Sequence, residues 1–370
     1  MQKIHMSQPD LRDDDIKAVL ETLQSTWLAL GPKAVEFEKM ISKYIGANHA
    51  IAVSSGTAAL HILVRALDIK PGDEVLVPSF TFASSVNAIL YERAIPVFVD
   101  VESDTFNVDT EDLEKKITPK TKAIMAVDVF GHPAEWDEIL RIADKYNLRI
   151  IDDSCEALGA VYKGKKIGQF GDAAAFAFYP NKQMTTGEGG IIVTNNEKIA
   201  RIARSLRNQG RGEMGAWLEH ETLGYNYRMD EMSAALGVSQ LKKLDYFLEK
   251  REKVSKLYTE KLKNLPGVRP PIVKPYVKMS WFVYVVLLEK GIDRNFVIKE
   301  LEKMGIPSRG YFLPIHLQAY IKNYIYCEVP RLPVTEDIGQ RTLALPFHNN
   351  LTEEEIDIVV EALKEVIRKS

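Results

Sequence analysis

Cysteine is nearly absent from this chain. Cys155 and Cys327 are the only two in 370 residues and stand far apart, so neither a disulfide framework nor a thiolate metal site is expected, and a reducing cytoplasm fits. The seven histidines are scattered without ligand spacing, so no metal is expected either. Charge of one sign is also missing: 48 Lys and Arg oppose 51 Asp and Glu for a net −3, which leaves no basic footprint for nucleic acid. No apolar run reaches membrane-spanning length, and the opening MQKIHMSQPDLRDDD has no signal-peptide apolar core, so neither membrane nor export is expected. No G-x-G-x-x-G follows a strand, which argues against a plain dinucleotide-binding fold, and no internal repeat or low-complexity tract occurs. What is present is 46% apolar and 27% charged residues, enough to bury a sizeable core in about two domains. Partners are then small molecules or a second copy of the chain.

Two short amphipathic helices are expected near the start, Asp13 to Leu23 and Val35 to Tyr44, separated by a Gly31-Pro32 turn. Trp27 between them either lines a ligand pocket or anchors this arm on the core. From Ala50 the chain alternates apolar strand-type runs, HAIAVSS, EVLVPSF, IPVFVDV, KAIMAV and LRIIDDS, with helix-type segments Ala58 to Leu67, Ala83 to Glu92, Glu111 to Ile117 and Glu135 to Tyr146. That order predicts an α/β fold with a mostly parallel sheet covered on both faces, and ligands of such sheets sit at the carboxyl ends of the strands. Three candidate groups fall there: Ser55-Gly56-Thr57, Phe80 or Phe82, and Asp152-Asp153. The first opens a helix, where free N–H groups and the positive end of the dipole make a phosphate site; read alone it is an ordinary helix cap. Asp153 read alone is either a helix cap or, as the second of two consecutive acids directly after a buried strand, a functional group.

Lys163-Gly164-Lys165 suggests a hairpin, and Glu197 to Leu206 a helix. The long polar connection that follows, through Arg207 to Tyr225, is functional or mobile. From Asp230 to about Leu265 the apolar spacing predicts one long helix, stopped by Pro266-Gly267 and a stiff PGVRPPIVKP linker. The remainder reads as a smaller α+β unit with a strand in SWFVYVVLLEK and helices at Arg294 to Met304 and Glu353 to Ile367. The division expected is a large domain over 1–245, including the N-terminal arm, and a small one over 246–370.

The chain is organised around FAFYPNKQMTTGEGGIIVT, residues 176–194. It sets Lys182 in a loop between two apolar strand runs, Ala173 to Phe178 and Gly190 to Val193. A lysine held on rigid scaffold among aromatics is placed to present a neutral amine, a nucleophile toward aldehydes. Gly187, Gly189 and Gly190 let backbone pass close to a bound group or take positive φ. A lysine serving pyridoxal phosphate needs an acid for the pyridine nitrogen, a phosphate cradle and an aromatic face over the ring, and Asp153, Ser55 to Thr57 and Phe82 are candidates for each.

Seven stretches carry a family resemblance in order and spacing: SSGTAAL, VPSFTFASSVNAI, IIDDSCEALGA, FYPNKQMTTGEGGIIVT, GYNYRMDEMSAALG, YFLPIH and LALPFHNNLTEEE. Together they resemble the DegT/StrS-type sugar aminotransferases, pyridoxal-phosphate enzymes of fold type I (aspartate aminotransferase-like). The resemblance implies a mostly parallel seven-stranded sheet with helices on both faces plus a smaller C-terminal α+β domain. It implies that Lys182 joins the cofactor covalently, Asp153 pairs with the pyridine nitrogen, Gly56 and Thr57 bind phosphate with Ser55 assisting, and Phe82 rather than Phe80 stacks on the ring. Asn226 would reach the phosphate of the other subunit of a homodimer. Ala177 stands where a phosphate-holding serine is usual, and Glu156 where Gln or His lies near the ring hydroxyl, a place where a carboxylate repels the ring oxygen unless protonated or turned away. Trp27, Arg211, Arg228, Tyr311 and His316 are candidates to contact sugar or diphosphate, with His316 equally readable as a core histidine and the arginines as solvated loop charges. The activity implied is transfer of an amino group from an amino acid, L-glutamate by resemblance, to a nucleoside-diphosphate keto-sugar for deoxyamino-sugar and polysaccharide or cell-envelope biosynthesis. A sugar dehydratase is the alternative, opposed by a lysine where such relatives carry histidine; a non-catalytic binding protein is the other.

Overall fold

The computed structural model describes residues 4–212, 219–324 and 329–370. Two amphipathic helices form the arm, α1 (Asp13–Gln24) and α2 (Pro32–Ile45). The first-turn acids Asp13, Asp14 and Asp15 suit the positive end of α1, and Gly46, at φ +85°, closes α2 in the left-handed region that glycine tolerates. The alternation then runs β1 (His49–Val53), α3 (Gly56–Ala66), β2 (Glu74–Pro78), α4 (Ala83–Tyr91), β3 (Ile95–Val99), α5 (Thr110–Lys115), β4 (Thr121–Val127), α6 (Trp136–Tyr146) and β5 (Arg149–Asp153). A small hairpin of β6 (Val161–Tyr162) and β7 (Lys165–Lys166) turns at Lys163-Gly164, as its sequence suggests. The lysine loop lies between β8 (Ala173–Ala177) and β9 (Gly190–Thr194), and α7 (Glu197–Arg207) follows.

Seven of these strands make one sheet in the order β1-β9-β8-β5-β4-β2-β3. Pairing is parallel from β3 through β8, and only β9 runs against its neighbours. The chain returns through the lysine loop without a crossover helix, so β9 can only come back antiparallel to β8. Side chains alternate between two buried faces: Leu76, Ile124, Ile191 and Val193 pack with Phe37 and Trp136, whereas Val75, Val77, Met125 and Ile192 pack with Leu60 and Leu63. Burial on both sides is why these strands read as continuous apolar runs.

The expected single helix from Asp230 to Leu265 is two, α8 (Glu231–Leu241) and α9 (Leu244–Leu262). Lys243 leaves helical geometry at φ −109°, ψ 2°, and apolar spacing stays continuous across the break because both helices bury a face. Beyond α9, β10 (Val268–Arg269) and β11 (Val277–Lys278) are two-residue strands, and β12 (Tyr284–Leu288) is the ordered part of the SWFVYVVLLEK strand. Helix α10 (Arg294–Lys303) precedes α11 (Pro333–Arg341), β13 (Thr342–Leu345) and α12 (Glu353–Ile367). Strands β10, β12 and β13 form a second sheet. Its core, with Tyr258, Val286, Leu301, Leu343 and Val359, is continuous with Phe80, Phe106 and Phe130 at the carboxyl ends of the large sheet's strands. Among the described residues no helix is long and apolar enough to cross a membrane. Cys327 and residues 213–218 of the long connection lie outside the described residues.

Candidate active site

The loop after β8 is pinned to the strand ends. Phe178 N–H donates to Gly189 O at 3.0 Å, Thr186 N–H to Phe178 O at 3.0 Å, and Lys182 N–H closes a turn on Tyr179 O at 2.9 Å. A β-carbon on Gly190 would overlap the Ser55 carbonyl, so the loop's return can lie this close to the start of α3 only as glycine. Lys182 Nζ is directed inward. It lies 3.6 Å from Glu156 Oε1, with side-chain exposures of 12% and 9%, and 3.7 Å from the centre of the Phe282 ring.

Arg251 of α9 fixes this turn from behind. It is 2% exposed and has carbonyls for partners: Lys182 O at 2.7 Å and Asn181 O at 3.4 Å on one side, Trp281 O at 3.0 Å and Phe282 O at 3.1 Å on the other. One guanidinium therefore sets the lysine turn against the ring that Nζ faces. Burial lowers its pKa, yet the planar fork still matches several carbonyls at once.

Asp153 ends β5, next to β8. Its Oδ2 accepts from Ser85 Oγ at 2.7 Å and its Oδ1 from Cys155 N–H at 3.2 Å. Ser85 lies in α4, so the acid is held across two strand ends. Beneath it, Asp128 and Asp152 are both 0% exposed and share Ser154, whose Oγ donates to Asp128 Oδ2 at 2.9 Å and also contacts Asp152 Oδ1. One hydroxyl proton cannot serve two carboxylates. Burial pushes both acids up, Asp128 to about 6 and Asp152 well above its ordinary range, which favours a protonated carboxyl in the pair.

The start of α3 is the candidate cradle. Ser55 Oγ accepts from Ala58 N–H at 3.1 Å, and the N–H groups of Gly56 and Thr57 open the first turn, where no intrahelical acceptor exists. A β-carbon at Gly56 would come within 2.7 Å of Ala177 Cβ and 3.0 Å of Cys155 Sγ. The alanine at 177 thus packs directly on the cradle. Thr57 Oγ1 meets Ser84 Oγ at 2.7 Å, tying the cradle to the start of α4, where Phe82 is 63% exposed. Phe80 is fully buried against Phe106, Phe130 and Phe312, so of the two candidate rings Phe82 alone is free to cover a bound group.

Glu156 is turned away from open space. Its Oε2 accepts from Phe130 N–H at 2.9 Å, and its pKa is raised, chiefly by burial, with the Lys182 charge and the Phe130 N–H opposing. Tyr311 stands on the same wall through Phe130 and Phe282; burial and the Glu156 charge raise its phenol.

Of the remaining candidates, Arg228 and Asn226 lie on a segment pinned to the strand end before Ser55, where Ser54 N–H donates to Tyr227 O at 2.8 Å and Arg228 bridges Val53. His316 is 0% exposed, with Nδ1 at 2.6 Å from Ser79 Oγ and Nε2 at 3.5 Å from Glu336, and burial lowers its pKa; it occupies a core position, the alternative its sequence left open, rather than a pocket wall. Trp27 is 59% exposed and donates to Ala29 O at 3.1 Å, so it does not anchor the arm on the core. Arg228 donates to Asn208 Oδ1 at 2.9 Å, and Arg211 pairs with His220 in a backbone bridge. Asn226 is exposed between Tyr225 and Tyr227, which stack at 4.9 Å and bond to Glu92 at 2.8 Å and His61 at 3.1 Å. Ser85, Arg251, Gln183 and Phe282 went unread in the sequence; for Ser85 alone a signal existed, its place in FTFASSV beside the ring candidate.

Pyridoxal phosphate fits this donor set: a half-buried amine, a fixed acid one strand away, helix N–H groups behind a glycine with no room for a side chain, and an exposed ring at the next helix start. The DegT/DnrJ/EryC1/StrS aminotransferase family pattern matches residues 9–364. The chain is similar to GDP-perosamine synthase of Caulobacter vibrioides, 42% identical with 99% of this chain and 98% of that protein covered. Among solved structures it is similar to Helicobacter pylori PseC, an aminotransferase involved in pseudoaminic acid biosynthesis, at TM-score 0.94 and 30% identity with both chains covered in full. It also resembles Streptococcus pneumoniae Spr1654, a putative sugar aminotransferase solved in PLP and PMP forms, at TM-score 0.94 and 30% identity with 99% of this chain covered. The chain belongs to the DegT/DnrJ/EryC1/StrS aminotransferase family and is a pyridoxal-phosphate-dependent aminotransferase.

Proposed function

We propose that this enzyme moves an amino group from L-glutamate to a keto-sugar carried on a nucleoside diphosphate, at the 3- or 4-position, with the cofactor bound at Lys182. The observation that carries the reading is the pairing of a half-buried Lys182, its Nζ flanked by Glu156 and Phe282, with Asp153 locked by Ser85 on the adjacent strand end. When bound, the cofactor supplies an electron sink for charge developing at the donor's α-carbon. Asp153 would hold a proton at the pyridine nitrogen, and its two hydrogen bonds keep it aimed. Lys182 Nζ would hold the cofactor and would move the proton at the donor's α-carbon. The N–H groups of Gly56 and Thr57 hold phosphate at the helix N-terminus, and Phe82 covers the ring.

The sugar reading draws on the relatives named for perosamine and pseudoaminic acid synthesis. We take the enzyme to work as a cytoplasmic homodimer in which Asn226, exposed in the single chain and clamped by its stacked tyrosines, reaches the phosphate site of the second copy. Arg228 and Arg211 are proposed diphosphate contacts, because guanidinium forks suit phosphate oxygens, with Trp27 and Tyr311 toward the sugar. The test is a panel of nucleoside-diphosphate keto-sugars offered to the amine-loaded enzyme, following return of the aldehyde form's absorbance. Return with at least one such sugar is the expected result; return with simple 2-oxoacids alone, and with no nucleotide sugar, refutes it.

A further inference from the structure

Lys182 can act as a nucleophile or a base only after its ammonium gives up a proton, and its side chain is mostly shut off from water. Among the described residues the carboxylate within ion-pair distance of Nζ is Glu156, at 3.6 Å; the Phe282 ring on another side, at 3.7 Å, stabilises a cation but accepts no proton. Asp153 is committed elsewhere, to Ser85 and the Cys155 N–H. Glu156 is held for this task by both ends of the residue. Its Oε2 is fixed by the Phe130 N–H, which leaves Oε1 to face Nζ. Its carbonyl accepts from Gln183 Nε2 at 2.5 Å, and Gln183 also donates to Ser280 Oγ at 2.9 Å, so the residue next to Lys182 sets the distance between the two side chains.

We propose that Glu156 is the proton acceptor of Lys182: one proton passes from Nζ to Oε1, leaving a neutral amine and a neutral carboxylic acid with no net charge moved out of the site. This rests on the reading of Lys182 as the cofactor lysine. The transfer is close to balanced because burial penalises both charges of the ion pair and neither member of the neutral pair. The surroundings lean the same way. Asp153 and Cys155 from the same turn and Tyr311 from the opposite wall are the titratable groups that face Glu156 beside Lys182, and the Asp153 charge favours its protonation. Arg309 acts on Tyr311, and the Arg251 guanidinium lies on the backbone side of Lys182. A glutamine could not take the proton, which gives a carboxylate at this position a role.

The experiment uses the full-length, cofactor-free protein, pulse-acylated with acetic anhydride between pH 6 and 10, with the Lys182 peptide quantified by mass spectrometry in wild type and Glu156→Gln. Because the proton stays inside the pair, wild-type Lys182 keeps a pH-independent fraction of neutral amine, so its acylation rate levels off below the midpoint; in Glu156→Gln, with no internal acceptor, the rate keeps falling about tenfold for each pH unit below its own midpoint. Glutamine retains an acceptor for the Phe130 N–H, and circular dichroism confirms folding; if it fails to fold, Glu156→Asp, which draws the carboxylate back by one methylene, must lower the wild-type plateau. Pyridoxal phosphate must also protect Lys182 in the wild type. Protection with no plateau in the wild type, or with an equal plateau in the variant, overturns the proposal alone; absence of protection overturns the reading beneath it and the proposal with it.

Discussion

Replacing Arg251 by methionine gives the sharpest test of how the lysine turn is held. The guanidinium makes three short contacts to carbonyls, 2.7 to 3.1 Å, and a fourth at 3.4 Å. Each buried carbonyl left without a donor costs about 1–3 kcal/mol. Against that, methionine fills similar volume and removes the several kcal/mol spent on burying an arginine that, among the described residues, has no carboxylate within ion-pair distance. The net is a loss of about 3 kcal/mol, roughly a hundredfold in the folding equilibrium. Arg251→Lys keeps the charge but offers a point donor in place of a fork, and about half that loss is expected. Equilibrium urea unfolding of the three proteins measures it. A loss below about 0.5 kcal/mol for methionine, the size of an ordinary surface substitution, would refute the claim that these carbonyls depend on Arg251.

Two further outcomes follow from the site. Ser85→Ala removes the hydroxyl that Asp153 Oδ2 accepts from at 2.7 Å; a hydrogen bond to a charged group is worth about 1.5–3 kcal/mol, so pyridoxal phosphate should bind roughly ten- to a hundredfold more weakly, read by equilibrium dialysis, and unchanged affinity would contradict the assignment of Asp153. The Asp128 and Asp152 pair has folded-state pKa values raised by burial. Its contribution to stability is therefore complete below the ordinary carboxylate range near pH 4 and declines as pH rises through about 6 and beyond. Asp128→Asn supplies an amide N–H to Ser154 while its oxygen still serves Ala134 N–H and Trp136 Nε1, so the slope of stability against pH between 4 and 8 should flatten in thermal melts; an undiminished slope sinks the shared proton.

The β/α alternation was legible because its strands are buried on both faces and α3, α5 and α7 start at the side-chain caps Ser55, Asp109 and Asn196, so local pattern and global fold agree. The break between α8 and α9 was not, since neither glycine nor proline marks Lys242-Lys243 and the apolar stripe runs through it. Helix α11 and β13 join without a turn residue between Arg341 and Thr342, which hid both. Within the site, Lys182 and Asp153 stood out because lysine and paired acids are rare at buried strand ends. Arg251 did not: in LEKREKVSK it looks like its solvated neighbours, and only the tertiary fold buries it. His316 illustrates the reverse, a motif residue whose ring the fold spends on Ser79.

Lys182 Nζ is the one amine proposed to hold the cofactor. Loading the full-length enzyme with pyridoxal phosphate, reducing with borohydride and mapping the pyridoxylated peptide by mass spectrometry measures this directly. The label should sit on Lys182 and vanish in Lys182→Ala; a label on another lysine, or one that survives that substitution, would contradict the account.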